Sequence, residues 1–302
     1  MKKTFIVMTL VCLVHTLCVG QSSTEKINKT IGFEKKSTQN ALLVYNIDGD
    51  VTIEGTTGDQ VIIAVEKIIN AKTADRLQSG KDAIQLGVID RADTLILYVK
   101  GTGQEFGMRN FNKNGGKSHW GYYSLGEKEG RWGSDWNNPP YDYQMNFKIK
   151  LPAGIHVMAS TVNNGNVVVH NVTGKVKARN INGNISLAGM SGATDAHTIN
   201  GNVDISYIKN PSEDCKYYSL NGHVKVNFPS SVSGTMSFKS FNGDLFTNID
   251  PMENMPPMVT KTETGKGTKY KIEMQRFKIR NGGPHFDVET FNGDATIKEN
   301  YK

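Results

Sequence analysis

Counting from Gly165, apolar residues fall two, four and seven places after each corner glycine. Val167, Val169 and Val172 are followed by Val176, Ala178 and Ile181, then by Ile185, Leu187 and Met190. Thr194, Ala196 and Ile199 come next, and then Val203, Ile205 and Ile208; Thr194 alone breaks the apolar set. The intervening places hold mostly Asn, Lys, Ser, Thr or Asp, with Val168 an exception. Apolar residues two apart mark a strand that buries one face. A helix needs spacings of three and four, and its interior would not tolerate the glycines.

The corners themselves repeat. Asn-Gly recurs at Asn164-Gly165, Asn182-Gly183, Asn200-Gly201, Asn221-Gly222, Asn242-Gly243 and Asn292-Gly293, and the first four intervals are 18, 18, 21 and 21 residues. Thr173-Gly174 and Ser191-Gly192 halve the first two intervals, and Asp48-Gly49 with Thr57-Gly58 repeats the pair far upstream. Counting from Glu213 places Cys215, Tyr217 and Leu220 in the same columns; Gly234 places Met236, Phe238 and Phe241, and Pro284 places Phe286, Val288 and Phe291. Two strands per 18–21-residue coil cannot bury their apolar faces alone, so the coils must stack. The expected fold is all-β: a parallel β-solenoid, right-handed by the crossover rule.

Outside the repeat, Ala71 to Leu86 has the spacing of one short helix, with Ala74, Leu77 and Ile84 on one side. Residues 21–40 are polar and Lys-rich and read as a flexible lead-in; 250–268 reads as a Pro-containing loop, and Tyr270–Ile279 as a hairpin arm. Residues 41–302 form one solenoid domain in this reading. It carries a long insertion, 101–142, rich in Gly and aromatics, which holds all three tryptophans.

Residues 1–20 read as a secretory signal peptide. Lys2 and Lys3 precede an apolar run from Phe5 to Leu17, and Cys18 and Gly20 supply small residues before a cut at Gln21. The run is short for a membrane span, and no second long apolar run follows, so no transmembrane segment is expected after cleavage. The expected location is exported, in the periplasm or at the cell surface. Cleavage removes Cys12 and Cys18 and leaves Cys215 alone, placed by the rhythm in the core. The net charge of +6 suggests nucleic acid, but the Lys residues are scattered and export argues against that partner.

The run Leu151-Pro152-Ala153-Gly154-Ile155-His156-Val157, followed by Asn164-Gly165-Asn166-Val167 and its repeats, resembles the bacterial putative-adhesin family, exported domains common in the Bacteroidetes. The resemblance spans about 41–298. It implies a β-solenoid at the envelope or surface and brings no catalytic residues with it.

The candidate chemistry follows from position. Calcium-binding β-rolls carry G-G-x-G-x-D corners, whereas these corners are N-G-N or N-G-D, which suit ladders of Asn satisfying backbone groups. His170 and His197 precede corners on opposite edges and cannot share a zinc, so neither metal nor cofactor is expected. Asp195 and Asp204 fall on opposite half-coils, too far apart for a glycosidase pair. The best binding candidates are Trp120, Tyr122, Tyr123, Trp132, Trp136 and Tyr141, because such rings stack on sugars and anchor interfaces. The same rings could instead form a lid over the coils. The leading expectation is a non-catalytic envelope protein that binds an envelope polysaccharide or a protein partner. A carbohydrate-active solenoid enzyme and a purely structural envelope component are the alternatives.

Overall fold

The structure is a computed structural model that describes residues 20–102, 104–110, 118–123 and 139–300. The chain runs β1 (Gln21–Gly32), β2 (Ala41–Tyr45), β3 (Val51–Thr56), β4 (Gln60–Ala71), α1 (Ala74–Ala83), β5 (Gln85–Asp90), β6 (Thr94–Lys100), β7 (Glu105–Asn110), β8 (Ser118–Tyr123), β9 (Tyr141–Pro152), β10 (His156–Ser160), β11 (Val167–His170) and β12 (Val176–Arg179). It continues β13 (Ile185–Met190), β14 (Thr194–Thr198), β15 (Val203–Tyr207), β16 (Cys215–Asn221), β17 (Val224–Phe228), β18 (Gly234–Lys239), β19 (Leu245–Thr247), β20 (Met252–Thr264), β21 (Gly267–Ile279), β22 (His285–Asn292) and β23 (Ala295–Glu299).

Successive strands alternate between two large sheets. One has the order β1-β4-β9-β3-β11-β13-β15-β17-β23-β19 and the other β20-β21-β18-β22-β16-β14-β12-β10-β2-β6-β5. Parallel pairing in register sets like above like. One inner column runs Phe147, Val51, Val167, Ile185, Val203, Val224, Ala295, Leu245. Its counterpart in the other sheet runs Leu97, Val44, Ala159, Ala178, Ala196, Tyr217, Val288, Phe238. All of these are buried except Leu245, on the last strand of its sheet, which is half-buried. Cys215 is buried at 1% exposure, as its column requires.

The corners stack as well. Asn163, Asn182, Asn200, Asn221, Asn292 and Asn242 pass side-chain amide hydrogen bonds from one to the next at 2.8–2.9 Å. Beside them the side chains of Asp50, Asn166, Asn184, Asn202, His223 and Asp294 each accept from the backbone N–H of the next corner. Inside, Asn180, Thr198 and Ser219 donate to the carbonyls of Gly165, Gly183 and Gly201. These three ladders explain how polar corners and buried polar residues coexist with an apolar interior.

Five expectations need correction. Both sheets are mixed and neither closes: antiparallel strands flank the parallel ones at β1-β4-β9, β5-β6 and β18-β21-β20. The supposed lead-in carries β1, whose Ile27 and Ile31 pack on the core. The supposed Pro-rich loop is mostly β20, an edge strand that accommodates Pro256 and Pro257 at a register shift between Met255 and Met258. The last coil does not close the stack in sequence order; β22 lies between β16 and β18, and β23 between β17 and β19. The seventh-place column splits: Val172 and Met190, before the Thr-Gly and Ser-Gly corners, are buried, whereas Ile181, Ile208, Phe241 and Phe291 are exposed. The helix forms as expected, with Thr73 as its N-cap.

Candidate binding site

The aromatic insertion supplies an antiparallel hairpin, β7–β8, in register from Glu105↔Tyr123 to Asn110↔Ser118. Its rings lie on the outer face of β2 and β6. The Tyr98 ring covers Gly87 on the neighbouring strand, where an added Cβ would stand 2.3 Å from it. Phe106 stacks on Tyr98 with ring centres 4.3 Å apart, Trp120 stacks on Phe106 at 5.8 Å, and the Arg91 guanidinium caps Trp120 at 5.1 Å. Phe106 also meets Tyr45 and Tyr122 at 5.0 and 5.1 Å.

Tyr122 fastens the hairpin. Its hydroxyl accepts from Val99 N–H at 2.7 Å and reaches the carbonyl oxygens of Tyr45 at 3.0 Å and Val99 at 3.1 Å. Burial raises its pKa well above the ordinary tyrosine value and lifts that of Tyr45 to about 12, so both hydroxyls stay protonated. Trp120 and Tyr122 therefore cover the sheet. Trp132 and Trp136 lie outside the described residues, and Tyr123 is placed only by its backbone in β8. Tyr141 is not with the others: it begins β9 in the opposite sheet and packs against Gly80 of α1.

Tyr141 leads to a different feature. β3 pairs with β9 only from Phe147 onward, so residues 141–146 of β9 overhang the first corner of the stack. Beneath the overhang is a cleft of about 470 Å³. Tyr141, Asp142, Tyr143 and Gln144 form one wall, and Ile47, Asp48, Asn163 and Asn164 of the corner ladders form the other. Asn70 and Pro139 complete it. Asn164 donates to Asp48 at 3.0 Å. Burial raises the Asp48 pKa, the Asn164 hydrogen bond opposes that rise, and the nearby Asp142 charge adds to it. Burial and the Asp48 charge push the Tyr143 hydroxyl to about 12. The cleft thus offers carboxylate acceptors, amides able to donate or accept, and tyrosine rings, a set suited to a hydroxyl-rich ligand.

No protein-family model matches the chain, and no curated protein matches it. Among solved structures it is similar to one described as a putative cell adhesion protein from Clostridium sporogenes: 11% identity, 92% of this chain and 100% of that one, TM-score 0.37. A second, described as a putative adhesin from Bacteroides fragilis, has 11% identity over 91% of this chain and 97% of that one, TM-score 0.29. A third, described as a putative lipid binding protein from Parabacteroides distasonis, has 10% identity over 92% and 97%, TM-score 0.23.

The other chemistry-bearing groups are accounted for by their positions. His170 and Asp204 lie in one sheet and His197 and Asp195 in the other, and Asp195 is bound by Arg179 at 2.5 Å. Ser237, His285 and Asp287 adjoin, but the Ser237 hydroxyl donates to Asp287 at 2.7 Å and is 3.0 Å from His285 Nε2. A nucleophilic serine needs the histidine to take its proton and the carboxylate to orient the histidine. Here the carboxylate holds the serine, which is 1% exposed. Among the described residues no group of three or more His, Cys, Asp or Glu could hold a metal ion, and no helix is long and apolar enough to cross a membrane.

Sequence reasoning missed Asp48, Asp142, Tyr143, Asn163 and Asn164 as a group. The alternation Tyr141, Tyr143, Met145, Phe147 marks one face of a strand, but only the unequal lengths of β9 and β3 open a cleft there.

Proposed function

We propose that this chain is an exported, non-catalytic β-solenoid that holds an envelope polysaccharide in the cleft beneath β9. The observation that carries the reading is the cleft's lining, in which Tyr141, Asp142 and Tyr143 of β9 stand across from Asp48, Asn163 and Asn164 of the corners. Sugars present hydroxyl groups to carboxylates and amides and C–H faces to aromatic rings. The solenoid reading is supported by the parallel pairing of strands one coil apart, from β2–β10 to β16–β22, and by the corner ladders. Export is supported by the leader pattern at Lys2–Gly20. The aromatic hairpin serves as a lid: it fastens β2 and β6 and leaves the ligand to the cleft.

The test is to screen the purified chain against a glycan array and extracted bacterial envelope polysaccharides, with analysis for cleaved products. Binding without new reducing or unsaturated ends is the expected result. Turnover would make it an enzyme, and absence of any glycan binding would leave a structural component.

A further inference from the structure

The β20–β21 hairpin leaves the body at the end of the stack opposite the cleft. Only Gln275–Ile279 of β21 pair with β18, yet β20 and β21 pair with each other out to Thr264↔Gly267. The outer stretch, residues 258–264 and 267–274, is a two-stranded ribbon of about 20 Å at ordinary strand rise. Such a ribbon is marginal in water unless one face is covered. Three of its apolar side chains are uncovered: Met258 is 44% exposed, Val259 49% and Tyr270 67%. The register sets Val259 opposite Ile272 and Lys261 opposite Tyr270, so one face of the ribbon carries Val259 and Tyr270. From 258 to 274 the ribbon holds Lys261, Lys266, Lys269 and Lys271 against Glu263 and Glu273, four positive charges less two, or +2.

We infer that this arm docks on the surface of an anionic lipid bilayer. Val259 and Tyr270 share their face with Lys261, Lys266 lies in the turn at the tip and Lys269 falls on the reverse face, so the arm offers such a surface both apolar side chains for the hydrocarbon and lysines for the negative headgroups. Tyrosine is favoured at headgroup depth, and lysine stems lie along apolar surface while their ammonium groups reach the phosphates. Charge complementarity selects this occupant over a neutral apolar one. The cleft and the arm lie at opposite ends of the strand stack, so membrane docking leaves the cleft open.

The full chain is compared with Met258→Ser/Val259→Ser/Tyr270→Ser and Lys266→Glu/Lys269→Glu by co-sedimentation with vesicles. One set is phosphatidylcholine alone; the other contains about one third phosphatidylglycerol. Residues 1–19 are common to all three proteins, so a difference between them belongs to the arm. The wild type is expected to bind the anionic vesicles roughly tenfold better than the neutral ones, less so as salt rises, and each variant to lose that advantage. Melting temperatures should not change, because the substituted side chains are exposed. Equal binding to both vesicle types, or equal binding by wild type and variants, would overturn the inference. So would a concentration-dependent dimer in sedimentation velocity that the triple variant abolishes while vesicle binding persists, since a second copy would then be the arm's cover.

Discussion

At Gly183 an added Cβ would stand 2.1 Å from the Gly165 carbonyl oxygen and 2.7 Å from the Asn180 amide nitrogen. Gly201 meets Gly183 in the same way at 2.2 Å, so each corner glycine is fixed by the corner beneath it. Gly183→Ala is expected to lower stability by about 1–3 kcal/mol in urea unfolding, the cost of forcing an extra carbon into a packed site. Gly265→Ala, with nothing within 4 Å, should change little. A second residue-scale consequence concerns pH. Tyr207 and Tyr217 share a buried hydroxyl contact of 2.9 Å, and Tyr207 also meets Thr194 at 2.5 Å. Burial raises the pKa of both tyrosines well above 10. A raised tyrosine pKa means that the folded state holds its proton more tightly than the unfolded state. Stability from this source is complete below about pH 10 and declines above it, by about 1.4 kcal/mol per pH unit for each tyrosine. Melting temperature against pH checks this, and Tyr217→Phe should make the alkaline decline shallower. The columns holding Thr194 and Tyr217 were legible in the sequence because side-chain alternation has a period of two; the count from Gly201 passed over Tyr207 for Ile208, which is exposed. The hydroxyl contacts were not, since they join residues of different strands.

The hairpin β7–β8 is the element whose role the sequence left open between lid and platform. Trp120 is half-buried between Phe106 and Arg91, and Tyr122 is tied to backbone groups of both β2 and β6. Tyr122→Phe removes the acceptor for Val99 N–H and should cost about 1–3 kcal/mol, the penalty of an unsatisfied buried donor. In a Trp132→Phe/Trp136→Phe background the remaining indole should be partly shielded from acrylamide. Full accessibility of Trp120 would contradict the lid. The helix and most strands could be read from periodicity. β1 and β20 could not: their residues are mostly exposed and polar, and they are strands because a neighbour supplies backbone partners, β4 for one and β21 for the other.

For the molecule as a whole, rhythm identifies coils but not their order. Corner spacing gave no reason for residues 285–299 to enter between the coils of β16–β17 and β18–β19; that placement depends on partners far apart in the chain, such as Asn221 and Asn292, hydrogen-bonded at 2.9 Å. The cleft has the same origin, for it exists where β9 outruns β3. The cleft is expected to hold a glycan without cleaving it. Calorimetric titration of size-fractionated envelope polysaccharide into wild type and Asp142→Ala tests it most directly. Asp142 is exposed and lines the cleft, so the substitution should weaken binding about tenfold or more, the loss of a charged hydrogen bond, while leaving the melting temperature unchanged. Equal affinity in both proteins, no heat of binding in either, or the appearance of cleaved products would contradict it.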